Sequence, residues 1–450
     1  PAVEDALAGY IWARLASPEA ATRWEAAHVI VALCALGCTR VLDGLFRHVS
    51  ANTTTPFIDA RFAFYSLHAH QWLLIATARA ALEFGSVLVP HADYFMTSSG
   101  ESQPHVLIRL FAARTALALA AQGLIELQVD VQERLMSVSN SPFETVRLEP
   151  SEEYESSRKA AHGKDRLPEN DQHLFGLDFG PYWLAPLGRC FGISKSEIER
   201  ETLKAIRGDL CYKGSHQWYE DERARRRLYE YEETRHSHGS YPSVDDWKFY
   251  LSYHAMLITA GHLLAKKPLV DSTNYWEENR FLDWLARHDI SRADGRWLAD
   301  RRDPQPTGFS ERLEEPCKAE WLISISADDF EQALHFEAGY LTVWGRWSKL
   351  DTSREESISV NTALVTRERS SSLLRALQTA ENPHDFRIPD ATDDLQIDNG
   401  FYQLKGWIVD RPTERGIDES DPWAGGVRFP APEPAAFVTE MMHLSTDSDH

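Results

Sequence analysis

The segment from residue 239 to residue 268 constrains the fold more than any other part of the chain. It predicts one long helix over residues 244–267. Ser243, followed three positions later by Asp246, matches a capping box, whose side chains accept hydrogen bonds from the first amide groups of a helix. Pro268 lacks the amide proton that another turn would need, so the helix should end before it. Because apolar residues cover nearly every face, we expect this helix to lie inside a larger helical assembly.

The histidines and acids of this segment favour a structural role. His254 and His262 share a helix face, but they lie eight residues apart. This separation is roughly 12 Å at about 1.5 Å per residue, which is too far for joint ligation of one metal ion. A hydrogen-bonded core histidine is therefore the preferred interpretation of His254. Asp245 and Asp246 are expected to compensate the helix dipole rather than to act in acid–base catalysis.

An internal repeat organises the N-terminal part of the chain. Residues 23–37, 71–85 and 109–123 align without gaps, and each segment ends on glycine, a common residue just past a helix end. Equivalent positions carry a large apolar residue, at Trp24, Trp72 and Leu110, or a small one, at Ala32, Ala80 and Ala118. Second helices are predicted at 41–49 and 124–136. The pattern favours a solenoid of HEAT-like helix pairs, in which small residues let helices approach closely, over an ordinary helical bundle.

Other helices carry clear local signals. Ser194 with Glu197 predicts a capped helix that stops at Gly208. Residues 367–380 predict a helix that lies between strands. Strands are expected where β-branched and aromatic residues alternate, at 319–326, 340–347, 356–360 and 406–409.

Changes of composition along the chain predict its domain organisation. We expect HEAT-like helical repeats at 1–139, a linker or long surface loop at 140–172, a helical domain at 173–310, an α+β domain at 311–444 and a disordered tail at 445–450. The predicted fold class is mainly α, with N-terminal HEAT-like helical repeats, a central helical domain and a smaller C-terminal α+β domain.

Charge and cysteine usage narrow the class of protein. The net charge of −21 disfavours nucleic-acid and membrane-surface binding, which depend on basic patches. No apolar stretch approaches the roughly 18 residues of a membrane span. The five cysteines include no C-x-x-C pair, which suggests reduced thiols in a cytoplasmic protein. The first residue is Pro1 rather than methionine, which suggests that the chain was processed or cut from a longer one.

Four segments of the sequence carry a resemblance to a known family. The repeats at 23–37 and 109–123, the block at 238–254 and the block at 421–432 resemble C-terminal regions of bacterial STAND-type NTPases of antiviral defence. In that family a nucleotide-switching ATPase connects an effector to a C-terminal helical-repeat sensor, and many members bind phage proteins. The resemblance implies a protein-binding sensor or regulatory module without catalysis in this chain. It also implies a protein ligand, such as one of phage origin, and an upstream NTPase domain as partners.

The candidate partner-binding residues lie outside the repeats. Tryptophan and arginine dominate the binding energy of protein interfaces, and the candidates of these types are Trp423, Arg428, Trp407, Arg301 and Arg302. Trp423, between a proline and glycines, is the best candidate for an exposed indole. Arg301 and Arg302 could hold a carboxylate or phosphate, but a role in clamping neighbouring helix ends is favoured. The other tryptophans are expected to include core residues.

Two alternative functions stay open. The chain could be a scaffold subunit of a multiprotein assembly, in which case it would form oligomers. It could also be a cryptic metal-dependent nuclease or hydrolase, although Asp303, Glu315 and Lys318 miss the expected E-x-K spacing. The sequence shows no catalytic constellation and predicts no catalytic, cofactor-binding or metal-binding residue.

Overall fold

A computed structural model describes the chain in two compact units, Pro1–Arg296 and Trp297–His450. The described residues are 2–51, 56–59, 64–148, 175, 178–212, 239, 241–272, 280–291, 295–301, 344–351, 354–361, 363–364, 371, 374–375, 378, 408–409, 421–424 and 427–429. The predicted mainly α fold class is confirmed. The first unit holds both the segment predicted as repeats and the central helix, while the predicted domain boundaries stay predictions.

Helices form the first half of this unit. They are α1 (Val3–Leu15), α2 (Ala20–Ala35), α3 (Thr39–Ala51), α4 (Ser66–Phe84), a 3₁₀ helix (Gly85–His91), α5 (Ala92–Ser98), α6 (Val106–Ala121) and α7 (Val129–Met136). Helix α4 packs between α2 and α6, and α1 packs on α3. This arrangement is compatible with helical repeats.

The aligned segments fall on α2, α4 and α6, and equivalent residues meet. The indole rings of Trp24 and Trp72 contact each other edge to face, with centroids 4.9 Å apart. Gly37 and Gly123 adopt positive φ angles of 66° and 69° after their helices, as predicted for helix ends. Gly85 differs because it has right-handed helical angles and leads into the 3₁₀ helix.

The small residues of the repeat differ in burial. Ala80 is fully buried, but Ala32 is exposed. The small side chain at position 32 therefore does not mediate close approach of helices, while the predicted role of Ala80 stays a prediction.

The second half of the unit surrounds one long helix. Its elements are β1 (Val146–Leu148), a π-helical turn (Gly180–Leu184), α8 (Ala185–Cys190), α9 (Lys195–Arg207), α10 (Trp247–Leu264), β2 (Val270–Ser272) and α11 (Arg280–Ala286). Strand β1, within the segment predicted as a linker, pairs in parallel with β2. The hydroxyl of Ser194 accepts a hydrogen bond from the Glu197 amide, and α9 ends at Gly208, as predicted.

Helix α10 is the predicted central helix, with a corrected start. From Phe249 to Leu264 every side chain except that of His262 is buried, which explains why the sequence is apolar on all faces. The helix begins at Trp247, not at residue 244, and Asp246 is its N-cap. Ser243 instead lies in a bend before the helix, and its carbonyl accepts a hydrogen bond from the Ala20 amide, because residues 18–20 and 243–245 pair as backbone.

The second unit contains a short helix and strands. Its described elements are α12 (Leu298–Arg301), β3 (Trp344–Asp351), β4 (Arg354–Asn361), β5 (Ala363–Leu364), β6 (Ile408–Val409), a 3₁₀ turn (Pro422–Ala424) and β7 (Val427–Phe429). Strand β3 pairs antiparallel with β4 on one side and β7 on the other, while β5 pairs with β6. Residues 371, 374, 375 and 378 are helical within the predicted helix at 367–380. The strand predicted at 319–326 lies outside the described residues.

Candidate functional sites

A chain of buried imidazoles crosses the interior of the first unit. His105 Nε2 lies 2.9 Å from His254 Nδ1, and His254 Nε2 lies 2.9 Å from His68 Nδ1. His68 Nε2 in turn lies 2.6 Å from a carboxylate oxygen of Asp245. All four side chains are almost fully buried. We call these four residues the imidazole relay.

The hydrogen bonds at the two ends of the relay fix the proton on every imidazole. The Ile108 amide donates to His105 Nδ1 at 3.3 Å, so the proton of a neutral His105 must lie on Nε2. His105 therefore donates to His254, which must donate through its own Nε2 to His68. His68 then donates to the Asp245 carboxylate. All three histidines are Nε2–H tautomers, and every donor points towards Asp245.

The electrostatics keep these imidazoles neutral. Burial lowers the pKa of His105 to about 3, and it lowers the pKa of His68 and His254 well below the usual range, with nearby Arg23 adding to the effect on both. A guanidinium nitrogen of Arg23 lies 3.1 Å from the Asp245 carboxylate and also donates to the Ser17 and Pro18 carbonyls. The buried carboxylate is thus balanced by a buried cation.

The prediction that Asp245 compensates the helix dipole is wrong. That role belongs to Asp246, whose carboxylate accepts a hydrogen bond from the Phe249 amide at 2.6 Å. Asp245 faces the core because the backbone pairing with residues 18–20 fixes its direction. The preferred interpretation of His254 as a hydrogen-bonded core histidine is confirmed.

A second buried hydrogen-bond chain runs beside the relay. The Gln71 amide donates to Tyr253 at 3.0 Å, Tyr253 bonds to Tyr241, and the Tyr241 hydroxyl lies 2.7 Å from His288 Nδ1. Burial lowers the pKa of His288 to about 3, so its ring is neutral. The first residues of two aligned repeats, Arg23 and Gln71, therefore both anchor the region around α10.

The nitrogens of the relay carry protons or accept hydrogen bonds, so they do not form a metal site. Each nitrogen that could ligate a metal is occupied by a neighbouring group, and within the described ranges no group of three or more His, Cys, Asp or Glu side chains could hold a metal ion. Sequence reasoning did not single out His68 or His105, which lie 186 and 149 positions from His254. Their only signal was a histidine close to the start of two predicted repeat helices.

The predicted partner-binding residues fall in the second unit. Trp423 lies in the Pro422–Ala424 turn and is 53% exposed. Its amide donates to the buried Asp421 carboxylate at 2.9 Å, which holds the turn. The turn contacts α12, the helix that ends at Arg301, and Arg428 lies in β7. Trp407 and Arg302 lie outside the described residues, as do the Arg301 and Arg428 side chains.

One stretch of the described residues, 66–98, contains an 18-residue window that is apolar enough to cross a membrane, and 61% of that window is buried. The expectation that no apolar stretch approaches the length of a membrane span is therefore wrong. Within this stretch, α4 is a core helix of the first unit, and such helices in soluble proteins have the same composition. No family model matches the chain, and no curated protein matches it either. The sites are therefore interpreted from their geometry and chemistry.

Proposed function

We propose that this chain is a cytoplasmic protein-binding sensor or regulatory module. In this proposal it recognises a protein ligand, such as one of phage origin, on behalf of a STAND-type defence NTPase, and the surface around Trp423 makes the contact. The exposure of Trp423 on an anchored turn is the observation that carries the proposal. A turn held in this way loses little backbone freedom on binding, and tryptophans are frequent interface hot spots.

Neighbouring elements support the same surface. The turn with Trp423 contacts α12, so the backbone of Arg301 lies close to the same place. Arg428 follows only a few residues later in β7, which pairs with β3. Tryptophan and arginine are both enriched in interface cores, so residues of these types at these backbone positions support the proposed surface.

The test is affinity capture with the full chain from uninfected and phage-infected bacterial lysates. A protein captured only after infection would then be purified and its binding measured by calorimetry. Trp423→Ala should weaken this binding by about 10-fold or more, since hot-spot truncations cost more than about 1.4 kcal/mol. The matched control is Leu374→Ala, because Leu374 is 57% exposed in the same unit. Recovery of the same partners from both lysates, with no phage protein, would contradict the proposal.

The purified full chain also distinguishes the two alternative functions, a scaffold subunit and a metal-dependent nuclease. A scaffold subunit would show a mass that rises with protein concentration in sedimentation experiments. A metal-dependent nuclease would degrade nucleic acid when magnesium is added.

A further inference from the structure

The imidazole relay joins three parts of the first unit that are distant in sequence. His68 belongs to α4, His105 caps the N-terminus of α6, and His254 lies in the middle of α10. Asp245 belongs to the segment that pairs with residues 18–20. Any movement of α10 away from α4 or α6 must therefore break a buried hydrogen bond.

An additional proton would disrupt the hydrogen bonds between the relay residues, although a hydrogen bond to its own backbone favours the protonated form of His105. A protonated imidazole donates from both nitrogens, so protonated His105 would direct Nδ1–H at the amide of Ile108. Protonated His254 would direct Nδ1–H at the Nε2–H of His105. Protonated His68 would direct Nδ1–H at the Nε2–H of His254. A change of tautomer along the relay only moves the conflict to the start of α6, where the helix dipole also disfavours a cation.

The surroundings offer little compensation for a new positive charge. Among the described residues, the titratable and charged groups that face the relay are Arg23 on α2, His70 on α4, Tyr65 before α4, Tyr241 before α10, and Tyr250 and Tyr253 on α10. Asp245, the carboxylate at the end of the relay, is already paired with Arg23. Asp246 is engaged in capping α10.

We propose that the imidazole relay is an acid-sensitive latch: uptake of protons releases α10 from α4 and from the start of α6 before the rest of the first unit opens. The relay holds α10 while its three histidines are neutral. Once α10 moves away, the imidazoles reach water and can bind protons, so acid favours the released state.

The direction of the pH dependence follows from burial. A histidine in water takes up a proton below about pH 6.5. The relay histidines remain neutral to much lower pH, with the pKa of His105 lowered to about 3. The open state thus binds more protons than the closed state, and the closed state loses stability as pH falls below about 6.5. Three histidines with an open-state pKa near 6.5 raise the opening constant by about 10⁴-fold between pH 7 and pH 5.

Native-state hydrogen exchange measured by mass spectrometry tests the latch in the full chain. After correction for the intrinsic pH dependence of exchange, peptides from α10 and the start of α6 should lose protection between pH 7 and pH 5. Peptides from α1 and α3 should lose far less protection over the same range, because His48 is the only histidine in these two helices. Protection in α10 that does not change with pH, or that falls together with that of α1 and α3, would overturn the proposal.

A pair of variants on α10 isolates the relay. His254→Gln removes one of the three titrating groups, so the same change of pH should raise the opening constant by only about 600-fold. His262→Gln is the matched control, because His262 is on the same helix but at the surface, bonded to Asp209. His262→Gln should show the same rise of the opening constant between pH 7 and pH 5 as the wild type. An unchanged slope in His254→Gln would also refute the latch.

The wild-type tautomers provide a test that does not depend on a variant folding. Nitrogen NMR of histidine-labelled protein at pH 7 should show His68, His105 and His254 with a proton on Nε2 and a bare Nδ1. Any of the three in the opposite tautomer, or titrating near pH 6.5 in the folded protein, would break the relay as described.

Discussion

Gly261→Ala should destabilise the first unit although alanine is the better helix former. A Cβ atom at residue 261 would lie 1.8 Å from the Pro104 carbonyl oxygen, 2.8 Å from the Pro104 carbonyl carbon and 3.2 Å from its Cα. These are backbone atoms, so no side-chain rotation can relieve the contact. The backbone of α10 and the segment before α6 must separate by more than 1 Å.

The expected magnitude combines three terms. Alanine in place of glycine inside a helix is favourable by about 1 kcal/mol. Overpacking of a dense core typically costs about 1–3 kcal/mol. Moving Pro104 also displaces the adjacent His105 and weakens its bond to His254, and a buried unsatisfied group costs about 1–3 kcal/mol. The net loss should be about 3 kcal/mol.

Hydrogen exchange of α10 amides measures this loss directly. It is preferable to a single melting curve because a chain with two compact units need not unfold in one step. Gly37→Ala is the control, since no atom lies within 4 Å of the added Cβ and only the positive φ angle of 66° opposes it. That cost should be about 1 kcal/mol. If Gly261→Ala is as stable as the wild type, the close approach of α10 to Pro104 is wrong.

The remaining predictions concern the helix cap and the thiols. Asp246→Ala should lower the stability of α10 by about 1 kcal/mol in hydrogen exchange of its amides, whereas Ser243→Ala should change it by less than about 0.5 kcal/mol. A larger loss of stability in Ser243→Ala than in Asp246→Ala would show that the capping box inferred from the sequence is correct. In alkylation with iodoacetamide followed by peptide mapping at pH 8, Cys211 should react because it is exposed, and Cys34 should react only after unfolding. Burial, assisted by Cys38, raises the pKa of Cys34 to about 12, so rapid modification of Cys34 in the folded chain would contradict its environment.

The sequence by itself determined the elements whose signals are local. Ser194 and Gly208 mark the two ends of α9 because capping depends on residues within a few positions of each other. The all-round apolar pattern located α10 in the core because burial on every face selects apolar residues at every face. The repeat alignment identified α2, α4 and α6, and Trp24 and Trp72 indeed touch.

Only the tertiary structure decided the roles of the buried polar groups. Asp245 and Asp246 are adjacent and chemically identical, yet one caps a helix and the other pairs with Arg23, because distant residues 18–20 fix the backbone before α10. The relay likewise requires His68, His105 and His254 to meet across separations of 149 and 186 residues. A buried polar group must find a partner, but its own sequence neighbourhood does not specify which residue that partner will be. The fold supplies that partner, and with it the direction of every proton in the relay.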